Sequence, residues 1–265
     1  MIANIRRDEI CSLLKKNQAV TTAALSEKFD VSIETIRKDL MILEKEAKLT
    51  RVHGGAVMKS TTKPYMKLSK RMESMRSEKM EISRLAARLV QNGDIIAIDT
   101  GSTAVEFITA LMERLDTLTI VTHSVDVFQR ACNYKNFDVI LCGGYYLKEE
   151  NSFYGDFAEY MLENLHVGKV FIFPAVLSLK NGICDCEPKL VRMQKKLIEA
   201  GDEVIIMADS SKYEKSALIK VADMNSNYLY LTDSQLSEEI KTIYRDNDIK
   251  IITNKQEISE VEIDG

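Results

Sequence analysis

Near the N-terminus the apolar residues recur at helical spacing and then switch to alternation. Ile10, Leu13 and Leu14 predict a helix over about Asn4–Lys16, Ala19-Val20-Thr21 a short strand, and Leu25 with Phe29 a second helix over Thr22–Phe29. Asp30-Val31 then reads as a tight turn into a third helix. Ser32 is its N-cap and Ile33, Ile36, Leu40 and Leu43 its buried seam. After Ala47 the period changes: Leu49, Arg51 and His53 alternate with Thr50 and Val52, and Gly54-Gly55 permits a turn before Ala56-Val57. Three helices followed by a two-stranded wing make a winged helix-turn-helix. Beyond it, residues 58–76 hold Lys59, Lys63, Lys67, Lys70, Arg71 and Arg76 around Pro64, the composition of a linker.

From about Ser77 a new regime begins. Met80, Ile82, Leu85, Ala86, Leu89 and Val90 predict a helix that stops at Asn92-Gly93. Short apolar runs then alternate with helical patterns. The runs are Ile95–Asp99, Leu118–Thr122, Phe137–Cys142, Lys169–Phe173, Glu203–Asp209, Tyr228–Thr232 and Lys250–Thr253. Helices are expected at about Thr103–Arg114, Ser124–Ala131, Asp156–Leu165, Lys189–Ala200 and Ser237–Asp246. Such alternation predicts a Rossmann-like, mostly parallel α/β domain with helices on both faces of its sheet. The expected organisation is a DNA-binding domain over 1–58, a linker over 59–76 and an effector domain over 77–265.

Charge changes the picture more than composition does. The chain carries 36 Lys+Arg against 40 Asp+Glu, yet residues 1–79 hold 17 Lys+Arg against 10 Asp+Glu, leaving 19 against 30 for the rest. A head at +7 on a body at −11 points to a polyanion partner for the head alone. With 45% hydrophobic and 29% charged residues, no secretory signal and no run of about 18 apolar residues, a cytoplasmic protein is expected. The five cysteines have no framework or metal-ligand spacing, so no metal or cofactor is expected.

On the third helix the seam leaves Glu34, Thr35, Arg37, Lys38 and Met41 facing outward. A hydroxyl, a guanidinium and an ammonium on one short face suit base edges and phosphates in a major groove that just admits a helix. Ser32, Glu34, Thr35, Arg37 and Lys38, with Arg51 and His53 on the wing, are the candidate contacts to double-stranded DNA; a solvated charged face is the plain alternative.

In the body, ligands of open parallel sheets bind at the carboxyl ends of strands, and these ends are polar. Asp99-Thr100-Gly101-Ser102-Thr103 joins a carboxylate, a permissive glycine and two hydroxyls at a helix N-terminus, where amides and dipole favour an anion. His123-Ser124, Gly143-Gly144 and Asp209 with Ser211 and Lys212 follow other strands, and Glu187, with Asp185, follows the Asn181-Gly182 turn. Singly each reads as a cap or a surface charge. Together they describe a pocket for a small phosphorylated polyol, with Lys212 as the cation.

These residues resemble the DeoR/GlpR family of bacterial transcription regulators over essentially the whole chain. In the head the resemblance rests on Val31-Ser32, Thr35–Leu40, Leu43-Glu44, Leu49, Arg51 and His53–Ala56. In the body it rests on Lys70-Arg71, Gly93-Asp94, Asp99–Thr103, Thr122, Ser124, Gly143-Gly144, Gly155, Glu187 and Asp209–Lys212. It implies an effector domain similar in fold to ribose-5-phosphate isomerase, and a repressor of a carbohydrate or polyol operon relieved by a phosphorylated metabolite. Ala47, His123, Pro174, Arg192 and Gln194 depart from the family pattern, the last four near the expected pocket. A homo-oligomer, dimer or tetramer, is expected because operator symmetry mirrors protein symmetry. Two rivals stand beside this reading: a sugar-phosphate isomerase using Asp99, Asp185, Glu187 or Asp209 as base and Lys212 at an enediolate, and a regulator whose pocket is structural.

Overall fold

The computed structural model describes residues 3–17, 19–46, 48–52, 55–58 and 66–258. It divides into two compact units, Met1–Pro64 and Tyr65–Gly265.

The first unit, the head, runs α1 (Ala3–Asn17), β1 (Ala19–Thr21), α2 (Thr22–Phe29), α3 (Ile33–Lys45), β2 (Leu49–Val52) and β3 (Gly55–Met58). The boundaries follow from local chemistry. The Thr21 hydroxyl accepts from the Ala24 amide and caps α2. Asp30, a residue type that tolerates the left-handed region, ends it at φ 49°. The Ser32 hydroxyl accepts from the Thr35 amide at 3.2 Å and caps α3. Ile10, Leu14, Leu25, Phe29, Ile36, Leu40, Leu43 and Leu49 close one core.

Two details differ from the sequence reading. Ile33 is not in the seam: it sits in the first turn of α3 and is 44% exposed, while Asp39 takes a buried place and pairs with Arg6 of α1 at 2.6 Å. The wing has three strands, because β3 pairs with β1 as well as β2. Gly55 is what permits this, since a Cβ there would lie 2.1 Å from the Val20 carbonyl oxygen. His53, Gly54 and Ala47 lie outside the described residues.

The second unit, the body, opens with α4 (Leu68–Glu73) and α5 (Arg76–Ala86), so a helix occupies part of the stretch expected as linker. The chain continues through β4 (Ile95–Ile98), α6 (Ser102–Met112), β5 (Leu118–Thr122), α7 (Val125–Ala131) and β6 (Phe137–Leu141). A hairpin of β7 (Tyr145–Leu147) and β8 (Ser152–Tyr154) leads to α8 (Asp156–Glu163), β9 (Val167–Ile172), β10 (Val176–Ser178), β11 (Gly182–Asp185) and α9 (Pro188–Ala200). The last elements are β12 (Gly201–Met207), β13 (Ile219–Ala222), β14 (Leu229–Leu231), α10 (Glu238–Arg245) and β15 (Ile251–Ile252).

Seven strands form one parallel sheet in the order β15-β14-β12-β9-β4-β5-β6. Successive residues pack on opposite faces: Ile96 and Ile98 join a core with Phe107, Ile108 and Leu111, whereas Ala97 joins one with Leu162, Met193 and Leu197. Burial on both sides explains why the strands read as continuous apolar runs. The hairpin β7-β8 and a small antiparallel sheet β10-β11-β13 stand outside this layer. The strand order reverses between β4 and β9, leaving a crevice at their carboxyl ends.

Candidate DNA interface and effector site

On α3, Glu34, Arg37, Lys38 and Met41 are exposed and Thr35 half-buried, while Ile36, Leu40 and Leu43 are buried. The Arg37 guanidinium lies 3.5 Å from Glu34 one turn earlier, an exposed pair that holds the side chain only weakly. Ser32 spends its hydroxyl on the cap and on Thr35 Oγ1 at 2.9 Å. On β2, Arg51 is exposed; Glu44 accepts from its amide at 2.9 Å, and the guanidinium stands 3.9 Å from the same carboxylate. Glu44 thereby ties α3 to the wing. Six of the seven expected contacts are within the described residues, on two adjoining elements.

The body site centres on Asp99, immediately after β4 at the strand-order reversal. It is fully buried and every one of its partners donates. Oδ1 accepts from the Thr100 amide at 2.7 Å and meets His123 Nε2 at 2.9 Å. Oδ2 accepts from the Phe173 amide at 3.3 Å and from Gln194 Nε2 at 3.0 Å. His123, after β5, is equally buried, and its Nδ1 faces the Phe153 carbonyl at 2.9 Å. A carbonyl only accepts, so Nδ1 carries hydrogen and a further proton lies on the line between Nε2 and Oδ1. Gln194 Nε2 also donates to Asp185 at 3.3 Å, and Gln194 Oε1 is buried without a hydrogen-bond partner. Asp185 accepts in addition from the amides of Ala175, Cys186 and Glu187. Burial, aided by the charge of Asp99, pushes the Asp185 carboxyl above its usual range against those amides.

Lys212 donates to the Pro174 carbonyl at 2.7 Å. Burial holds its ammonium below the usual range, opposed by Asp209 and reinforced by the nearby Arg71 cation. Lys79 is pushed down to about 8, first by burial and then by Lys212. It donates to the carbonyls of Arg71 and Ser74, and Arg71 pairs with Glu150, whose carbonyl accepts from the Thr100 hydroxyl at 3.3 Å. The expected residues Asp99, Thr100, His123 and Lys212 are therefore joined by four whose role was not expected: Arg71, Lys79, Glu150 and Gln194. Arg71 and Gln194 were visible only as a motif member and as a departure from the pattern.

Other expected residues have local duties. Ser124 caps α7 through the Val127 amide, Glu187 caps α9 through the Lys189 amide, and Asp209 accepts from the amide and hydroxyl of Ser211 in the turn Ser210–Lys212. Gly144 is required by packing, since a Cβ would lie 2.5 Å from the Tyr154 carbonyl oxygen, whereas a Cβ on Gly143 meets open space. Gly101 takes φ +140° at the start of α6. The first turn of that helix, holding Ser102 and Thr103, has neither an acidic residue nor a side-chain cap, and Thr103 Oγ1 is buried without a partner. Arg192 is not at the crevice: it pairs with Asp156 and Glu159 of α8 on the surface.

A family model described as the DeoR C terminal sensor domain matches residues 74–234, and one described as a DeoR-like helix-turn-helix domain matches residues 6–62. The chain belongs to the DeoR family. DeoR-family relatives cover it almost end to end. It is 33% identical over 95% of its length, and 96% of the relative's, to an uncharacterized HTH-type transcriptional regulator YulB of Bacillus subtilis. To a putative aga operon transcriptional repressor of Escherichia coli O157:H7 it is 29% identical, over 86% of its length and 85% of that protein's. Among solved structures, ribose 5 phosphate isomerase A from Neisseria gonorrhoeae aligns with 51% of the chain and 52% of its own, at 18% identity and a TM-score of 0.37, too low to bear on function. The DeoR-family architecture accounts for both regions: a DNA-binding helix-turn-helix with its wing, and a sensor domain built on the parallel sheet. No helix among the described residues is long and apolar enough to cross a membrane.

Proposed function

We propose that this DeoR-family regulator is a cytoplasmic, sequence-specific repressor of a carbohydrate or polyol operon, controlled by a phosphorylated sugar or polyol bound at the carboxyl edge of the body sheet. Thr35, Arg37 and Lys38 read and grip the major groove, with Ser32 and Glu34 beside them; Arg51 and His53 meet the backbone. The ligand phosphate lies at the α6 N-terminus on the amides and hydroxyls of Ser102 and Thr103, near Lys212, and the polyol meets Thr100, His123, Ser124, Gly143, Gly144, Glu187, Asp209 and Ser211.

The observation that carries the ligand class is the uncapped α6 start beside buried Lys212, whose charge burial disfavours. A phosphate dianion there completes the orphan amides and restores the ammonium. The printed role of the aga operon relative agrees in substrate class. An isomerase needs a carboxylate free to take a proton. Asp99, Asp185, Glu187 and Asp209 are each engaged by amide or side-chain donors, which favours binding over catalysis.

Selection from a random duplex library by the full chain is expected to enrich one symmetric or repeated sequence. The Arg51→Ala chain should then show a slope of log affinity against log salt smaller by about 1 per lost phosphate contact. In a thermal-shift panel of sugar phosphates, a ligand at about 100 times its dissociation constant should stabilise the protein by about 2.7 kcal/mol. No enriched sequence overturns the DNA reading; enrichment without any ligand shift favours a structural pocket; interconversion of aldose and ketose phosphates overturns the regulator-only reading. An effector can alter DNA binding only by as much as it prefers one state of the chain.

A further inference from the structure

Among the described residues, every large aromatic side chain that stays exposed lies in one short segment, on the β7-β8 hairpin and the start of α8: Tyr145 (63%), Tyr146 (53%), Phe157 (72%) and Tyr160 (67%). Phe157 and Tyr160 are three residues apart and share one side of α8, while Ala158 and Leu162 are buried. The rings are not loose. Tyr145 packs on Tyr154 at 5.9 Å between centroids and closes over Gly155, where a Cβ would come within 2.9 Å of its ring. Tyr146 packs on Phe153 at 5.8 Å and donates its hydroxyl to Asn151 at 2.7 Å. Rings already fixed lose little entropy when covered.

We propose that this hairpin and the outer side of α8 are the contact face between two copies of the chain. At about 200 Å² per ring, the four expose about 500 Å², over half of the roughly 800 Å² that each partner contributes to a stable interface and more than scattered surface residues present. Exposed charges of both signs surround them: Lys148 and Glu149 on the hairpin side, Asp156 and Arg192 on the helix side. A mixed rim can complement itself across a two-fold axis, where one patch meets the same patch. The −11 charge of residues 80–265 opposes nucleic acid or an anionic lipid surface as the occupant. The face is wired to the sensor site, since the Phe153 carbonyl in the middle of β8 is the acceptor for His123 Nδ1.

Sedimentation of the full chain, 30.1 kDa per copy, tests this together with hydrogen exchange. The parent is expected to sediment as two or more copies. In a chain carrying Phe157→Glu and Tyr160→Glu, the dissociation constant should rise by about 30-fold or more, as loss of an aromatic anchor implies, at an unchanged melting temperature because both side chains face solvent. On the unmodified protein, peptides spanning residues 145–160 should gain protection as concentration rises. A parent that sediments as a single copy, an unchanged mass distribution in the double variant, or exchange over 145–160 that ignores concentration overturns the proposal.

Discussion

Each unit buries one carboxylate among donors, Asp39 beside Arg6 in the head and Asp99 beside His123 and Gln194 in the body, but the residues proposed to meet a ligand stand in opposite relations to them. In the head they are exposed and weakly engaged: Arg37 and Arg51 each face one glutamate across 3.5 Å or more, and the buried pair merely joins α1 to α3. In the body the buried carboxylate is itself the centre of the proposed site. A duplex is larger than the head and supplies its own desolvation, so a reading surface can wait in water. A small ligand must be enclosed, and the groups that enclose it have to satisfy one another first.

The contrast can be broken experimentally, and the largest effect is expected at its buried end. Asp99→Ala removes the acceptor of four donors, so chemical denaturation should report a body destabilised by about 3–5 kcal/mol, with amide exchange in residues 3–58 unaltered. A loss under 1 kcal/mol would mean that Asp99 is not the keystone of the strand edge. At the exposed end, Arg37→Ala should weaken binding to the selected duplex by about 1–3 kcal/mol and relax base preference at one position, with no shift in the denaturation midpoint. A variant that binds like the parent would turn the outer face of α3 into a solvated one.

Lys79 sharpens the comparison through pH. Its native pKa of about 8 lies below the ordinary 10.5, so between these values the unfolded chain binds a proton that the native chain does not, and stability rises with pH. Measured as the difference between the parent and a Lys79→Met chain, stability should be level below about pH 8, climb through pH 10 and then level off. A difference that stays constant across that window would remove Lys79 from the buried cluster. The smallest effect belongs to the head's surface chemistry: Ser32→Ala deletes the cap of α3 and should cost about 1 kcal/mol in head stability, read from the denaturation midpoint.

How far each region was legible in the sequence follows from the range of its interactions. The Ser32 cap, the Ile36-Leu40-Leu43 seam and all seven parallel strands were visible because neighbours within a few residues decide them. Ile33 misled because helical spacing alone does not say where the core ends: the first turn of α3 projects past it. The small antiparallel strands β10, β11 and β13 were too short and too mixed in composition to stand out between stronger patterns.

The sequence by itself determined the elements, the polarity of the strand ends and the charge split between head and body, all of them local or additive properties. Only the tertiary structure decided that β9 lies beside β4, which brings the Phe173 amide to Asp99 across 74 positions and Gln194 across 95. It likewise brought Arg71 to Glu150, 79 positions apart, and left four aromatic rings uncovered on one hairpin and helix. Such pairings depend on which strands are neighbours and which faces remain unpacked, and no local pattern of side chains carries that information.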